Sequence, residues 1–331
     1  MKRVAAWAAL SLTSMLAAAC GREPAVEGPL HDVVAVAAAD RWSEMERDVR
    51  DAIERRVSGV RDERVFRVTY QEPNAEGWDQ RSRAPLLVVI GTPEDPWVRE
   101  ALERVGPGST GVGLHRATSV WAEGQVVNVL VLPESGQDED LDEHLEAVYA
   151  QLHADFRTLV RNRMYASGAS TALADSLWEN EGFGILVPRS YTLTRADSTF
   201  LFAPSDEDPS GVQRRVTVTW MNPAPPSFEL DEVLAWRART ARAHYGTPQE
   251  AEGRVTAERL AFSGYVALEI RGHWSRRTDE GRQEGSLLTR VAVCGGQNRA
   301  YLLDSWLYAP DGETYEYIVQ LETILDTFRC E

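Results

Sequence analysis

The chain has 331 residues, with 51 acidic against 35 basic side chains and a formal net charge of −16. That balance gives phosphate contacts and counterion release little to work with, and so disfavours nucleic acid and anionic lipid surfaces as partners. Lys2 is the sole lysine, which removes every mechanism that needs an amine downstream of it: Schiff bases, serine-lysine dyads and the phosphate-gripping lysine of a P-loop.

Lys2 and Arg3 precede an apolar run from Val4 to Ala19, and Leu16-Ala17-Ala18-Ala19 abuts Cys20. A spanning helix needs roughly 20 apolar residues, so residues 1–19 predict a bacterial lipoprotein signal, cleaved so that Cys20 becomes the acylated first residue. The expected location is the cell envelope, lipid-anchored to a membrane through Cys20. Gly21, where some enterobacteria place an aspartate for inner-membrane retention, favours the outer membrane. Losing Lys2 and Arg3 from the 35 basic residues leaves 33 against 51, a charge of −18. Residues 20–30, rich in Gly, Pro and charge, predict a short tether.

Residues 31–166 predict an α/β domain. Val33 to Ala39 suits a buried strand, and Asp40 or Ser43 can cap a helix carrying Met45, Val49, Ile53 and Val57 on one face. Phe66, Val68 and Tyr70 alternate as a one-sided strand, and Leu86 to Ile90 is a second buried run. Asp95-Pro96 predicts a side-chain N-cap and a first-turn proline for a helix through Val105. A loop over 106–113, a short strand at Ser119 to Trp121 and a buried run at Val126 to Leu132 follow. An amphipathic helix from about Asp138 to Met164 then presents Leu141, Leu145, Val148, Leu152, Phe156 and Leu159.

A connecting helix over 167–182 leads to a different pattern in 183–331. Strands are expected at Phe183 to Pro188, Ser198 to Phe202, Gln213 to Met221, Val255 to Phe262, Tyr265 to Trp274, Ser286 to Val293 and Arg299 to Tyr308. Helices are expected near Leu230 to Tyr245 and Glu313 to Phe328. Many strands with two helices imply a mostly antiparallel sheet with packed helices, the α+β class. A last strand of about ten residues at 3.3 Å, answered by a helix of about sixteen at 1.5 Å, returns the chain to the hairpin at Gly295-Gly296. Cys294 and Cys330 are thereby predicted to form a disulfide in an oxidising compartment.

No motif carries a reaction. Gly106 to Gly111 has dinucleotide-fingerprint spacing, yet follows a helix and opens none that would hold a pyrophosphate. Asp138, Asp140 and Asp142, and Asp206, Asp208 and Ser210, open like calcium loops but lack the closing carboxylate, and the first triplet lacks the turn glycine as well. His144 and His153 share a helix nine residues apart without ligand spacing. No G-x-S-x-G elbow occurs. No catalytic residue, metal or cofactor is therefore expected.

Glu269-Ile270-Arg271-Gly272-His273-Trp274, Trp306-Leu307-Tyr308-Ala309-Pro310, Gln320 to Leu325, His115-Arg116, Val120-Trp121-Ala122 and the Phe183 to Tyr191 segment (FGILVPRSY) together resemble a bacterial lipoprotein family, domain of unknown function 4837, found chiefly in Bacteroidetes and relatives. The likeness runs over nearly all of the mature chain and implies an envelope lipoprotein with no assigned activity. An aromatic-aliphatic-Val-Pro strand, a central helix, a strand meander and a Tyr-Ala-Pro turn into a terminal helix are also similar to the PsbP/Mog1-like fold, which implies binding or assembly. The expected function is a non-enzymatic, membrane-tethered binding or assembly module with an envelope protein as partner. Arg271, Trp274, Trp306 and Tyr308 are the candidate surface, arginine with aromatics being the composition of interface anchors. The competing expectation is that these aromatics fill the core. The rival class is an extracytoplasmic hydrolase using carboxylates in a cleft between the domains.

Overall fold

A computed structural model describes residues 24–57, 63–106, 111–135, 139–262, 264–279, 281–310 and 314–331. Residues 1–19, expected as a signal, together with Cys20, Asp138 and positions 107–110 of the glycine-rich loop lie outside the described residues.

The first half runs β1 (Asp32–Val36), α1 (Ala39–Ile53), β2 (Arg56–Val57), β3 (Glu63–Arg64), β4 (Arg67–Gln71), α2 (Trp78–Arg81), β5 (Leu86–Gly91), α3 (Pro96–Glu103), β6 (Gly113–Thr118), β7 (Val126–Val131) and α4 (Leu141–Met164). Five strands form one sheet in the order β4-β1-β5-β7-β6, parallel except for β6. The central strands are buried on both faces, which is why they read as unbroken apolar runs. Val33, Ala35, Leu86, Val88 and Leu130 face α1 and α4, whereas Val34, Val36, Leu87, Val89 and Val127 face α3. This is the expected α/β domain.

Three local expectations are corrected. The short strand is Gly113–Thr118, not Ser119 to Trp121: Ser119 has φ of 52° and sits in the following turn. His115 and Arg116 on this edge strand hid its alternation. Asp95 precedes the Pro96 start of α3, yet its Oδ2 accepts from the Thr92 amide at 2.7 Å and makes no bond to the helix. The tether expected over 20–30 does not extend through its second half: Ala25 bridges Glu123, the Glu27 amide donates to the Arg83 carbonyl at 2.9 Å, and Leu30 is 3% exposed.

The second half runs α5 (Thr171–Glu181), β8 (Phe183–Gly184), β9 (Tyr191–Ala196), β10 (Thr199–Pro204), β11 (Gln213–Met221), α6 (Leu230–Tyr245), β12 (Glu250–Phe262), β13 (Tyr265–Thr278), β14 (Gly281–Cys294), β15 (Arg299–Tyr308), α7 (Tyr315–Leu325) and β16 (Arg329–Cys330). Seven strands form an antiparallel sheet in the order β12-β13-β14-β15-β11-β10-β9. The α+β class is as expected. The β13–β14 hairpin extends through polar positions to a Thr278–Gly281 pair, well past the expected strand ends. Gly285 permits this: a Cβ there would meet the Leu307 carbonyl at 1.9 Å and the Trp274 ring at 2.8 Å.

Each face of this sheet has its own core. Val233 and Trp236 of α6 cover Ile270, Trp274, Leu287, Val291, Leu302 and Trp306. On the other face Leu321, Ile324 and Leu325 of α7 cover Val216, Leu288, Tyr301, Leu303 and Leu307. Inside the α6 layer Arg237, 1% exposed, donates through Nε to Asp304 Oδ1 at 2.8 Å and through Nη2 to Gln249 Oε1 at 2.8 Å. Thr289 donates to the same Asp304 oxygen at 2.6 Å.

β16 pairs with β8, placing Cys330 opposite Phe183. Cys294 and Cys330 come to disulfide distance, with Cα atoms 6.2 Å apart. The helix that brings them together is shorter than expected, and the extended Arg329–Cys330 strand supplies the remaining reach. Closing a loop of 36 residues stabilises by about 3 to 4 kcal/mol on the chain-entropy account. Cys294→Ser is expected to lose about that much in urea unfolding without reductant, and none in reductant. In the α6 layer, Arg237→Met should cost about 3 to 5 kcal/mol by stranding Asp304, with most of it recovered in the Arg237→Met, Asp304→Leu double variant.

Candidate functional site

α7 is shared by both halves. Its Leu321, Ile324 and Leu325 belong to the core of the second half, while Val319 is buried in the core of the first. Tyr315 stacks on Phe156 of α4 with ring centroids 5.8 Å apart, and its hydroxyl meets His153 Nε2. Burial pushes the Tyr315 phenol up to about 12, with Glu322 adding to it. Burial lowers His153, and the neighbouring Arg157 lowers it further.

A ladder of alternating charge runs through this joint. Glu322 of α7, 6% exposed, accepts from Arg157 Nη1 of α4 at 2.5 Å and from Arg271 Nη1 of β13. Arg271 Nε donates to Glu269 at 2.6 Å, Arg290 Nε to the other Glu269 oxygen at 2.7 Å, and Arg290 Nη1 to Asp326 at 2.7 Å. Burial alone would raise the Glu322 carboxyl, but Arg271 and Arg157 outweigh it and hold the group below the usual carboxylate range. Burial likewise opposes the charge on Arg271, and Glu322 and Glu269 override it, raising that guanidinium.

Beside the ladder lies a cavity of about 470 Å³. Arg271 and His273 of β13, Ser286 and Leu288 of β14 and Leu307 of β15 line it from the sheet. Tyr315, Ile318, Leu321 and Glu322 line it from α7, Arg254 and Thr256 from β12, and Val57 and Glu63 from the first half. Glu63 is already engaged, accepting from the Thr314 amide and hydroxyl at 2.7 Å each. His273 and Ser286 are directly opposite across the β13–β14 pair. The His273 Nδ1 and Ser286 Oγ atoms are buried and lack a protein hydrogen-bond partner. Such atoms are the exception in folded proteins and call for a water or a ligand group. A smaller cavity, about 170 Å³, also reaches Tyr315 and is lined by His31, Arg64 and Phe156.

The candidate surface does not form as one patch. Arg271 lines the cavity, but Trp274 and Trp306 are 0% and 2% exposed beneath α6, edge to face at 5.4 Å. Tyr308 is half-buried against the same α6 core. The reason is the strand period of two: Arg271 and Trp274, three apart on β13, point to opposite faces. The same rule would have grouped Arg271 with His273 and not with the tryptophans. Glu322 and Arg157 carried no such signal, since their meeting depends on how the two halves pack.

The remaining sequence candidates hold no site. Asp140 and Asp142 lie at the start of α4. Asp208 folds back on Ser210, whose hydroxyl donates at 2.5 Å and whose amide donates at 3.0 Å, and this lowers the carboxyl. Among the described residues no group of three or more His, Cys, Asp or Glu is placed to hold a metal, and no helix is long and apolar enough to cross a membrane.

Residues 170–327 match the domain of unknown function DUF4837. The DUF4837 region takes in Glu269 to Trp274, Trp306 to Pro310 and Gln320 to Leu325, whereas His115-Arg116 and Val120 to Ala122 fall outside it. Solved structures are similar at low identity. The Saccharomyces cerevisiae Ran-binding protein Mog1p is 11% identical with a TM-score of 0.30, covering 45% of this chain and 90% of its own. LpqN of Mycobacterium tuberculosis, described as involved in cell envelope biogenesis, is 13% identical with a TM-score of 0.27, covering 44% and 81%. A Pseudomonas aeruginosa protein of unknown function, PA94, is 11% identical with a TM-score of 0.24, covering 41% and 94%. No curated protein sequence matches the chain.

The ladder sets an acid limit. Because Glu322 is held below its ordinary range, its contribution is full above the unfolded carboxylate pKa of about 4.3 and is lost as pH falls through the lower folded value. Glu322→Gln is expected to cost about 3 kcal/mol at pH 7 by stranding Arg157 and Arg271. Its thermal midpoint should then fall less steeply than that of the wild type below pH 5. Parallel acid limbs for the two proteins would contradict this assignment.

Proposed function

We propose that the protein is a non-enzymatic binding module of the cell envelope, tethered to a membrane through acylated Cys20, and that the cavity beside α7 is its ligand site. One observation carries the site: His273 and Ser286, paired across β13 and β14 and each holding a buried polar atom without a partner, both line the cavity, with Leu288, Leu307, Ile318 and Leu321 among its apolar walls. Pockets for small ligands combine an apolar lining with a few placed polar groups in this way. The lining charges cancel, Arg254 and Arg271 against Glu63 and Glu322. The fitting ligand is therefore mainly apolar, with one uncharged hydrogen-bonding group such as a hydroxyl or amide.

The carboxylates weigh against the hydrolase alternative. Glu63 is committed to Thr314, and Glu322 is held ionised between two arginines. A general acid needs a carboxyl kept protonated near neutral pH.

The neutral dye N-phenyl-1-naphthylamine serves as probe. Wild-type protein is expected to bind it with a fluorescence gain, and Ser286→Trp, which fills the cavity, should weaken binding at least tenfold while retaining a cooperative melt. Val266→Thr, at an exposed position of β13, should bind as the wild type does. Equal dye affinity in the wild type and the folded Ser286→Trp variant would sink the site. For the anchor, Cys20→Ser should move the protein from the membrane to the soluble fraction.

A further inference from the structure

Cys20 stands four residues before the first described residue, which bounds how far an acyl chain on it could lie from the folded domain. Pro24 is the first described residue, and its carbonyl accepts from the Glu123 amide at 2.8 Å. Ala25 then bridges Glu123, and the Glu27 amide donates to Arg83. Only four residue steps separate Cys20 from Pro24. At roughly 3.5 Å per fully extended residue, four steps reach at most about 14 Å. That is about half the width of a small domain, roughly 30 Å, so an acyl chain at Cys20 would keep this side of the domain toward the bilayer.

The point of attachment lies at the amino-terminal ends of the parallel strands, where β5 and β7 begin. The Gln125 side chain, fully buried, stitches this end together by donating to the Ser82 and Ala84 carbonyls at 2.5 and 2.9 Å. Two tryptophans flank the stitch. Trp121 stands two residues before Glu123, its amide donating to Gln125 Oε1 at 3.2 Å. Its ring meets that of Trp78 edge on, with centroids 5.2 Å apart, and both are half-buried with part of each exposed. Tryptophan is enriched at the membrane–water boundary because an apolar ring and a polar N–H suit the headgroup level.

We propose that the Trp78–Trp121 face rests in the headgroup layer of the membrane that holds Cys20. This rests on the lipoprotein reading above. Charge does not drive the contact, since in the segments that carry and adjoin the pair Glu27, Glu76, Asp79 and Glu123 outnumber Arg81 and Arg83. The partner is accordingly a zwitterionic lipid surface, and added anionic lipid should not strengthen the contact.

The test uses the full chain purified from bacterial membranes and reconstituted in phosphatidylcholine vesicles with brominated acyl chains, which quench nearby tryptophans. Wild-type emission is expected to fall against unbrominated vesicles, and the Trp78→Phe, Trp121→Phe double variant should lose at least half of that fall. Trp97→Phe, at the opposite end of the parallel strands, should leave it unchanged. A second variant keeps every tryptophan and inserts about twenty Gly/Ser residues after Gly21, a spacer that reaches about 25 Å as a flexible coil. It should also lose at least half of the quenching. Mass spectrometry of the Cys20 peptide separates the two ways to fail. An unmodified Cys20 overturns the lipoprotein reading and this orientation together. An acylated Cys20 with quenching unchanged in both variants overturns the orientation alone.

Discussion

The arrangement of the two halves depends on one buried carboxylate. Glu322 enters the joint between α4 and β13 and is met there by Arg157 from one half and Arg271 from the other. Taking a carboxylate out of water costs several kcal/mol, and the cost is offset only where partners sit at close, well-directed hydrogen bonds. A small rotation of one half against the other would break one of the two bonds and leave a charge unmet. Apolar contact by Val319 and Tyr315 supplies attraction without direction. The carboxylate supplies the direction.

That choice also explains the cavity. α7 packs on β11, β14 and β15, and the ladder of Glu322, Arg271 and Glu269 occupies its flank toward β13. Side chains held by fixed hydrogen bonds cannot spread to fill volume as leucines do. The space beyond them, over His273 and Ser286, stays open. Thr314, preceding α7, is bound by Glu63 of the first half, so the same helix that positions one wall of the cavity is also held by the element that forms its rim. A ligand in the cavity would touch both halves at once, through Val57 and Glu63 on one side and Leu288 and Leu307 on the other.

The sequence exposed the frame of this molecule and concealed its joint. Runs such as Leu86 to Ile90 and Val126 to Val131 are legible because strands buried on both faces need no alternation. The Cys294–Cys330 pairing followed from element lengths, even though α7 is shorter than its apolar pattern suggests. β9 was missed because Tyr191–Ala196 is an edge strand, mostly polar or exposed along its length. The outer parts of β13 and β14 were missed for a related reason: Arg277, Arg282 and Glu284 satisfy a hairpin in solvent, where hydrophobic pattern is silent. Trp274 and Trp306 were legible as aromatics but not as core, until the parity of their strands was fixed. Glu322 and Arg157 had no local signature at all, because 165 residues separate them and their pairing is a property of tertiary packing.

Composition returns at the joint with a different meaning. With no lysine among the described residues, every cationic side-chain contact there is built from arginine or histidine, and the ladder uses what arginine alone offers. Arg271 spans Glu269 and Glu322 through different nitrogens, Arg290 spans Glu269 and Asp326, and Arg237 spans Asp304 and Gln249. A lysine ammonium is a point charge on a flexible stem and holds no fixed angle between two acceptors, whereas the planar guanidinium does. It also stays charged at every pH at which the protein is folded. The titratable end of the ladder is therefore its carboxylates, and the geometry of the joint is limited by acid and not by base.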